Sequence, residues 1–309
     1  MPESKLFYEI ANLETEQKNP RTENIDIAST RDVLRMINDE DLTVASIVRK
    51  EIPNISKAVD KIVESFQSGG RLFYFGAGTS GRLGIVDAVE CPPTFGTAQG
   101  MVQGIIAGGT KAVFKAQEGA EDKPENGAIE IIKRKIKPPD IICGIAASGR
   151  TPFVKGALAE ARKKGIFTIL IATVPKKQAI KNGMLADVMI CPVVGPEVIT
   201  GSTRMKSGTA QKLILNMLTT ASMVRLGKTL GNVMVDLQLT NAKLKERAKR
   251  ILMTLTGVDY DTAENTLKLS GGNVKTALVI LLAGVDVKEA KSRLEKAGGF
   301  IKKTLKFGK

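Results

Sequence analysis

The chain has 309 residues, of which 43% are hydrophobic and 4% aromatic, and its formal net charge is +14. It contains no histidine, and its three cysteines form no Cys-x-x-Cys pair. These counts exclude Ser-His-Asp and Cys-His catalysis and argue against a metal site or a disulfide framework. No apolar run approaches the length of a membrane span, and the acidic N-terminus lacks the layout of a secretion signal, so we expect a cytoplasmic protein with no membrane partner.

The positive charge is concentrated near the C-terminus, where residues 241–309 hold 15 Lys or Arg against 7 Asp or Glu. Such an excess could indicate nucleic-acid binding, but these residues follow helical patterns without aromatic stacking partners or a recognition motif. We therefore predict a solvated helical surface and no nucleic-acid partner. The positive potential would still attract an anionic small molecule.

The N-terminal region predicts an arm followed by two helices. Residues 1–28 are polar and aperiodic, which is typical of a loose arm. The Ser29–Thr30 pair would cap a helix that Asn38–Asp41 interrupts. A second helix is expected at about Thr43–Gln67, with Pro53 bending or dividing it.

Five apolar runs alternate with helical patterns in the next part of the chain, which predicts an α/β fold with a parallel sheet covered on both faces. The runs are Leu72–Phe75, Met101–Ala107, Ile141–Ala147, Phe167–Ala172 and Val188–Val194. Right-handed crossovers would bring the loops that follow these strands to one edge of the sheet.

Helical patterns dominate the remainder. Long helices are expected at about Met205–Leu226 and Val233–Ile251, and short helices separated by glycines follow Gly257. We accordingly divide the chain into an N-terminal arm and helix (1–42), an α/β catalytic domain (43–240) and a C-terminal helical domain (241–309).

The loop after the first predicted strand, Gly76–Arg82 (GAGTSGR), combines glycines with hydroxyls at the start of a helix. Glycines let the backbone approach a ligand, and N–H groups at a helix N-terminus bind anions. Gly78, Thr79 and Ser80 are therefore candidate ligands of a phosphate group. The loop also matches the dinucleotide pattern G-x-G-x-x-G, but no acid ends the second predicted strand to hold a ribose, and the Gly-Lys-Ser/Thr of a triphosphate loop is absent. A tight turn without a ligand is the simplest alternative.

A second loop of the same kind, Ala146–Pro152 (AASGRTP), follows the third predicted strand. Ser148 could simply cap the next helix, and Pro152 suits a first helical turn. Two such loops at equivalent positions of one sheet would, however, surround a phosphate group. Ser148, Gly149 and Thr151 are its candidate ligands here.

A third polar segment, Gly195–Thr209, precedes the long helix and is rich in hydrogen-bond donors. A solvated loop is the simplest interpretation. The density of donors beside Glu197 favours a loop that faces the substrate instead, with Glu197 and Ser202 as candidate contacts.

Two acids could carry proton transfer in a chain without histidine. Glu90 comes ten residues after Ser80 and directly before a predicted turn at Cys91–Pro93, and Glu121 lies in an acidic loop after the second predicted strand. One carboxylate that removes a carbon-bound proton and another that protonates a leaving oxygen can carry out an elimination. Burial or a neighbouring acid would have to raise the pKa of at least one of them toward neutrality.

Three long motifs resemble the N-acetylmuramic acid 6-phosphate etherases, a family of the sugar isomerase (SIS) domain superfamily. They are Gly76–Gly96 (GAGTSGRLGIVDAVECPPTFG), Gly144–Pro152 (GIAASGRTP) and Gly195–Leu215 (GPEVITGSTRMKSGTAQKLIL). The resemblance covers nearly the whole chain. It implies a three-layer α/β/α SIS domain with a five-stranded parallel sheet and a small C-terminal helical bundle similar to a ubiquitin-associated domain.

This family is a group of lyases that cleave the D-lactyl ether of N-acetylmuramic acid 6-phosphate to N-acetylglucosamine 6-phosphate and D-lactate, by elimination from the open-chain sugar followed by hydration. The resemblance implies that Glu90 is the proton donor, that Glu121 is the base at C2, and that Ser80, Ser148 and Thr151 hold the phosphate. It also implies a homodimer with the site near the subunit interface, and neither a metal nor an organic cofactor. The candidates for binding the lactyl carboxylate are Arg82, Arg150, Arg204 and Lys206.

Two other functions are compatible with the same scaffold. One is a sugar-phosphate isomerase with Glu197 as the base. The other is a non-catalytic sugar-phosphate sensor, similar to glucokinase regulatory proteins or to SIS-type transcription regulators. A regulator would normally add a second SIS unit or a helix-turn-helix, and the sequence shows neither.

Overall fold

The computed structural model describes residues 14–239 and 241–306. Its internal contacts divide the chain into two compact units. The first comprises the described part of Met1–Ala88 together with Gly100–Leu218, and the second comprises Val89–Gln99 with the described part of Thr219–Lys309. The domain boundaries at residues 42 and 240 stay predictions.

The first unit is built on a five-stranded parallel sheet. Its strands are β1 (Leu72–Gly76), β2 (Val102–Ile106), β3 (Ile141–Ile145), β4 (Phe167–Ile171) and β5 (Val188–Ile190). Their order is β2-β1-β3-β4-β5, with every neighbouring pair parallel. The five predicted strands are confirmed, because continuous apolar runs suit strands that are buried on both faces.

The helices up to the end of the α/β region follow the predicted alternation. They are α1 (Thr30–Arg49), α2 (Ile52–Gln67), α3 (Gly78–Phe95), α4 (Thr110–Phe114), α5 (Pro124–Lys133), α6 (Pro152–Lys163), α7 (Lys176–Lys181) and α8 (Lys206–Arg225). Phe75 of β1 and Phe153 of α6 belong to one buried core cluster of this unit, with their ring centroids 6.0 Å apart. Because β1 pairs with β2 on one side and with β3 on the other, the loops after β1 and β3 flank the point where the strand order reverses.

The predicted interruption of the first helix at Asn38–Asp41 is wrong, since α1 continues to Arg49. Helix propensity disfavours these residues by only about 0.7 kcal/mol or less each, and Glu40 among them is buried in contact with Arg21 and Lys206. Tertiary contacts therefore override local propensity here. The break comes after Arg49 instead, and Pro53 lies in the first turn of α2, where its missing N–H has no cost.

The prediction of a loose arm is also wrong for residues 14–28, which form three short 3-10 turns at Glu14–Glu16, Pro20–Thr22 and Ile25–Ile27. The Asn19 amide donates to the carbonyl of Pro196 at 3.4 Å, and the Thr22 hydroxyl donates to that of Val198 at 2.8 Å. These hydrogen bonds fasten the arm to the segment after β5. Residues 1–13 lie outside the described part of the chain.

The second unit contains a short hairpin and several helices. They are β6 (Thr229–Leu230), β7 (Val233–Met234), α9 (Ala242–Thr256), α10 (Tyr260–Leu269), α11 (Val274–Ala283), α12 (Val287–Lys296) and α13 (Ile301–Thr304). The helix predicted at Val233–Ile251 is wrong in its first part, because α9 begins only after Asn241, whose side chain accepts a hydrogen bond from the Leu244 N–H. The short helices after Gly257 are confirmed. In the described residues no helix is both long and apolar enough to cross a membrane.

Candidate active site

A cavity of about 610 Å³ in the first unit is lined by both of the predicted anion loops. It lies beside the ends of β1 and β3, which are adjacent in the sheet. A volume of this size is typical of small-molecule sites. Of the residues predicted to bind substrate or to act in catalysis, those that line it are Gly78, Thr79, Ser80, Glu121, Ser148, Arg150 and Thr151.

The glycines of the first loop bring its backbone close to the cavity. Gly78, the first residue of α3, has a φ of +51°, which favours glycine. A Cβ on Gly76 would lie 2.6 Å from the backbone nitrogen of Gly81, so the turn admits no side chain there. The first turn of α3, with Thr79 and Ser80, therefore forms part of the cavity wall, as an anion site at a helix N-terminus requires. The Ser80 hydroxyl donates to Oε1 of Gln211 at 2.9 Å.

The second loop is held by a similarly tight conformation. Gly149 has a φ of +62°, a Cβ on it would lie 2.8 Å from Cγ2 of Val174, and its carbonyl accepts a hydrogen bond from the Asn182 amide at 3.2 Å. Gly149 itself does not line the cavity, whereas its neighbours Ser148 and Thr151 do. The N-cap of α6 is Thr151 rather than Ser148, and the Thr151 side chain makes no capping hydrogen bond. Capping of the helix thus does not account for either hydroxyl.

Glu121 reaches the cavity from the turn between α4 and α5. Its backbone carbonyl accepts a hydrogen bond from the Phe153 N–H at 2.9 Å, which fixes the turn beside the start of α6. Partial desolvation raises the pKa of the Glu121 carboxyl although the residue is exposed at the cavity wall, and the neighbouring charges of Asp122 and Glu118 raise it further. A carboxyl with a raised pKa can exchange a proton more readily near neutral pH.

Glu90 is exposed on α3, about three helical turns beyond Ser80. It belongs to the second unit and is not among the residues that line the cavity. The predicted turn at Cys91–Pro93 is wrong, because both prolines lie inside α3 and the helix ends at Phe95. The chain turns at Gly96, whose φ is +62°.

The third polar segment lines the cavity through Gly201 and Thr203, and not through the predicted contacts Glu197 and Ser202. Glu197 is completely buried, and its two carboxylate oxygens accept hydrogen bonds from the backbone N–H groups of Lys206 and Ser207, each at 2.9 Å. The first N–H groups of a helix lack partners within the helix, so a carboxylate there satisfies them and complements the helix dipole. Glu197 is therefore not open to a substrate in this structure, and Ser202 does not line the cavity either.

The four basic candidates are placed differently from one another. Lys206 is completely buried and donates to Oε2 of Glu40 at 2.6 Å. Arg82 donates to the carbonyls of Ala112 and Val113, and Arg204 is exposed and does not line the cavity. Arg150 lines it.

The lining residues that lie outside every predicted motif are Thr15 and Glu16 of the arm. The Thr15 carbonyl accepts a hydrogen bond from the Gly201 N–H at 3.1 Å, and Gly201 also lines the cavity. The available signal was the Asn19–Pro20 pair, which is typical of a turn and argues against a loose arm.

Comparison with known proteins assigns the family. Residues 54–162 match the model of the glucokinase regulatory protein N-terminal SIS domain. The chain is 58% identical over 283 residues to an N-acetylmuramic acid 6-phosphate etherase of Salinibacter ruber, covering 91% of this chain and 90% of the relative. It is 52% identical over 269 residues to the etherase of Oceanobacillus iheyensis, with 87% and 90% covered. A solved phosphoheptose isomerase from Francisella tularensis aligns with 64% of this chain at 17% identity, with a TM-score of 0.46. The chain belongs to the N-acetylmuramic acid 6-phosphate etherase family, and its α/β unit contains an SIS domain.

Proposed function

We propose that the protein is an N-acetylmuramic acid 6-phosphate etherase, a carbon–oxygen lyase that releases D-lactate and N-acetylglucosamine 6-phosphate in the recycling or catabolism of cell-wall sugar. One observation carries the proposal: two hydroxyl-bearing strand-to-helix loops and the Glu121 carboxyl line one cavity. The relatives that bear this name align over about nine tenths of both chains.

The phosphate would bind between the two loops. Ser80, Ser148 and Thr151 offer hydroxyl donors, and the start of α3 adds backbone N–H groups and the positive end of a helix dipole. The backbone of Gly78 and the backbone and hydroxyl of Thr79 would complete this subsite, while Gly149 would contribute through the tight conformation that it gives the second loop. The phosphate does not change during the reaction, so these groups would contribute binding and orientation.

The chemistry would be an elimination followed by addition of water. Glu121 takes the proton from C2 of the open-chain sugar, the C3–O bond breaks, and the departing lactate oxygen takes a proton from Glu90. Water then adds at C3 and a proton returns to C2, which yields the C3 hydroxyl. The raised pKa of Glu121 supports its role in proton transfer.

We also propose a homodimer with the site near the subunit interface. The family resemblance supports this arrangement, and so does the exposure of Glu90, since a second subunit could enclose a general acid that stands at the surface of one chain. Sedimentation of the purified protein would measure the assembly directly. A cytoplasmic location is supported by Cys91, Cys143 and Cys191, which are buried and form no disulfide bond.

The isomerase alternative loses its proposed base. Both oxygens of Glu197 accept hydrogen bonds from the start of α8, and the side chain is shielded from solvent. The match to a glucokinase regulatory protein domain is compatible with a sensor function, but this match extends only over residues 54–162. The etherase relatives align over most of the chain, which favours the etherase function.

The test is incubation of the purified protein with N-acetylmuramic acid 6-phosphate and enzymatic assay of D-lactate. A sensor would bind the sugar without releasing lactate, and an isomerase would change its C1 and C2 carbons with the ether intact. Release of D-lactate in a 1:1 ratio with N-acetylglucosamine 6-phosphate is the expected result.

The division of roles can be tested by hydrogen exchange. In D₂O, Glu90→Gln should still exchange the C2 hydrogen of recovered substrate, because deprotonation needs no departing group, while lactate release falls about 10²–10⁴-fold. Glu121→Gln should lose both exchange and lactate release. Exchange that persists in Glu121→Gln but disappears in Glu90→Gln would reverse the roles, and exchange in neither variant would indicate a concerted step.

A further inference from the structure

A small pocket, which we call the side pocket, adjoins the candidate active site. Its volume is about 150 Å³, and Ala77, Gly78 and Glu121 line both the side pocket and the larger cavity. Its lining residues all belong to the first unit. Because Glu121 borders both spaces, a group that is bound beside this residue in the cavity can extend into the side pocket.

Alanines form much of the wall of the side pocket, and they are Ala77, Ala107, Ala112, Ala116 and Ala120. The side chains of Ala112, Gln117 and Ala120 converge just after β2, since a Cβ on Gly108 would lie 3.1, 3.1 and 3.2 Å from their Cβ atoms. A larger side chain at either alanine would occupy the space that the methyl group leaves open.

The size of the side pocket suits a small organic group. A water molecule occupies roughly 30 Å³ in the liquid, so a volume of about 150 Å³ has room for a group such as acetyl. The methyl groups of the alanines would contact the methyl of such a group, and removing apolar surface from water is favourable.

The charges of the side pocket favour a neutral group. Of the described residues that line it, the charged ones are Arg82, Glu118 and Glu121. Two carboxylates repel a phosphate or the lactyl carboxylate, whereas they do not repel an amide. The Arg82 guanidinium is held by hydrogen bonds to the carbonyls of Val113 and Ala112, at 2.9 and 2.8 Å, and its further N–H groups are donors of the kind that an amide oxygen accepts.

The position of Glu121 indicates which neutral group this is. In the proposed reaction Glu121 takes the proton from C2, and C2 also carries the acetamido nitrogen. A sugar with C2 at Glu121 therefore has its acetamido group beside the residue at which the side pocket meets the cavity. We infer that the side pocket binds the acetyl group of the substrate and selects sugars that carry an N-acetyl group; this inference rests on the proposed function.

An acetyl group in the side pocket would also orient the reacting carbon. The open-chain sugar rotates freely about its carbon–carbon bonds, and phosphate binding at C6 leaves several of these bonds between the phosphate and C2. A second anchor on the C2 substituent restricts this rotation and holds the C2 hydrogen toward Glu121. Sugar phosphates with a hydroxyl at C2 lack this anchor.

The test compares N-acetylglucosamine 6-phosphate with glucose 6-phosphate, in which a hydroxyl replaces the acetamido group. Calorimetry of the wild type should show at least about tenfold tighter binding of the N-acetyl sugar. Ala120→Val enlarges a half-buried residue of the wall and should remove about tenfold or more of this affinity, while binding of glucose 6-phosphate stays unchanged. Ala159→Val, at an exposed alanine of α6, is the matched control and should change neither dissociation constant.

Equal binding of the two sugars by the wild type would overturn the inference, as would equal losses for both in Ala120→Val. A rise in KM for N-acetylmuramic acid 6-phosphate in Ala120→Val, with unchanged binding of N-acetylglucosamine 6-phosphate, would place the lactyl group in the side pocket instead. If Ala120→Val does not fold, the wild type is compared with N-formylglucosamine 6-phosphate, which lacks only the acetyl methyl. Equal binding of the formyl and acetyl sugars would then contradict an acetyl site.

Failure of the proposed function would be visible separately. The wild type would then release no D-lactate from N-acetylmuramic acid 6-phosphate, whatever the ratio of the two dissociation constants. Lactate release without a preference for the N-acetyl sugar would leave the proposed function intact and refute the assignment of the side pocket.

Discussion

The two strand-to-helix loops and the segment Gly195–Thr209 are alike in composition but differ in what their polar groups do. In the loops after β1 and β3, Thr79, Ser148 and Thr151 line the cavity. In the third segment, the Glu197 carboxylate satisfies the start of α8. A short loop between a buried strand and a helix has little freedom in where its side chains point, whereas a longer segment must satisfy its own backbone and the next helix first.

The largest expected effect is on the free energy of unfolding, when Lys206 of the segment Gly195–Thr209 is replaced. Lys206→Met should lower the free energy of unfolding by about 3 kcal/mol, because it removes one partner of a buried ion pair and leaves the buried Glu40 carboxylate with Arg21. Denaturant unfolding of this variant and of Lys212→Met, an exposed lysine on the same helix, would provide the measurement and its control. Equal stability of the two variants would contradict the structural role of Lys206.

The same cluster gives a pH dependence. The pKa of the Glu40 carboxyl is lowered from 4.5 to about 2, chiefly by the hydrogen bond from Arg21 and also by the contact with Lys206. A lowered pKa in the folded state means that this carboxylate stabilises the fold above pH 4.5 and that its contribution is lost as the pH falls toward 2. Acid unfolding curves of Lys206→Met should therefore show a smaller loss of stability over this interval than those of the wild type.

The next effect concerns the cap of α8. Glu197→Gln should lower the free energy of unfolding by about 2 kcal/mol, because an amide offers one acceptor oxygen where the carboxylate serves two N–H groups. Since the side chain is away from the cavity, KM for the phosphorylated sugar should change little. A large rise in KM with unchanged stability would restore Glu197 as a substrate contact.

Sequence patterns predicted the parallel sheet and the positions of the anion loops because both depend on local regularities. Apolar runs define buried strands, and glycines with hydroxyls after a strand define a tight turn. The arm and α1 depend instead on partners that are distant in sequence: the Gly201 N–H donates to the Thr15 carbonyl, and Glu40 is buried against Lys206, 166 residues away. No periodicity in the sequence encodes such pairs, which is why α1 was divided wrongly and the arm was expected to be loose.

A smaller effect compares a serine of the loop after β3 with a serine of the segment Gly195–Thr209. Ser148→Ala should weaken binding of the phosphorylated sugar about 10- to 100-fold through the loss of one charge-assisted hydrogen bond, with little change in stability. Ser202→Ala is the matched control, because this serine lies outside the cavity lining and should leave KM unchanged. If Ser202→Ala raised KM as much as Ser148→Ala, the contrast between the two regions would fail.

The smallest expected effect is a shift of the pH profile through Glu121. Partial desolvation raises the pKa of this carboxyl most, followed by the charges of Asp122 and Glu118. A base must be ionised to take a proton, so kcat/KM should fall as the pH drops through the raised pKa.

Glu118→Gln removes one negative neighbour without changing a residue that lines the cavity, which should lower the pKa of Glu121 and move the acid limb of the profile to lower pH. The displacement should be small for a charge pair in contact with solvent, and it should shrink at high salt because screening weakens the pair. Glu125→Gln, at an exposed position on α5 that does not act on this carboxyl, provides the control. A shift of the acid limb to higher pH in Glu118→Gln would mean that the group titrating in kcat/KM is not Glu121 in the environment described above.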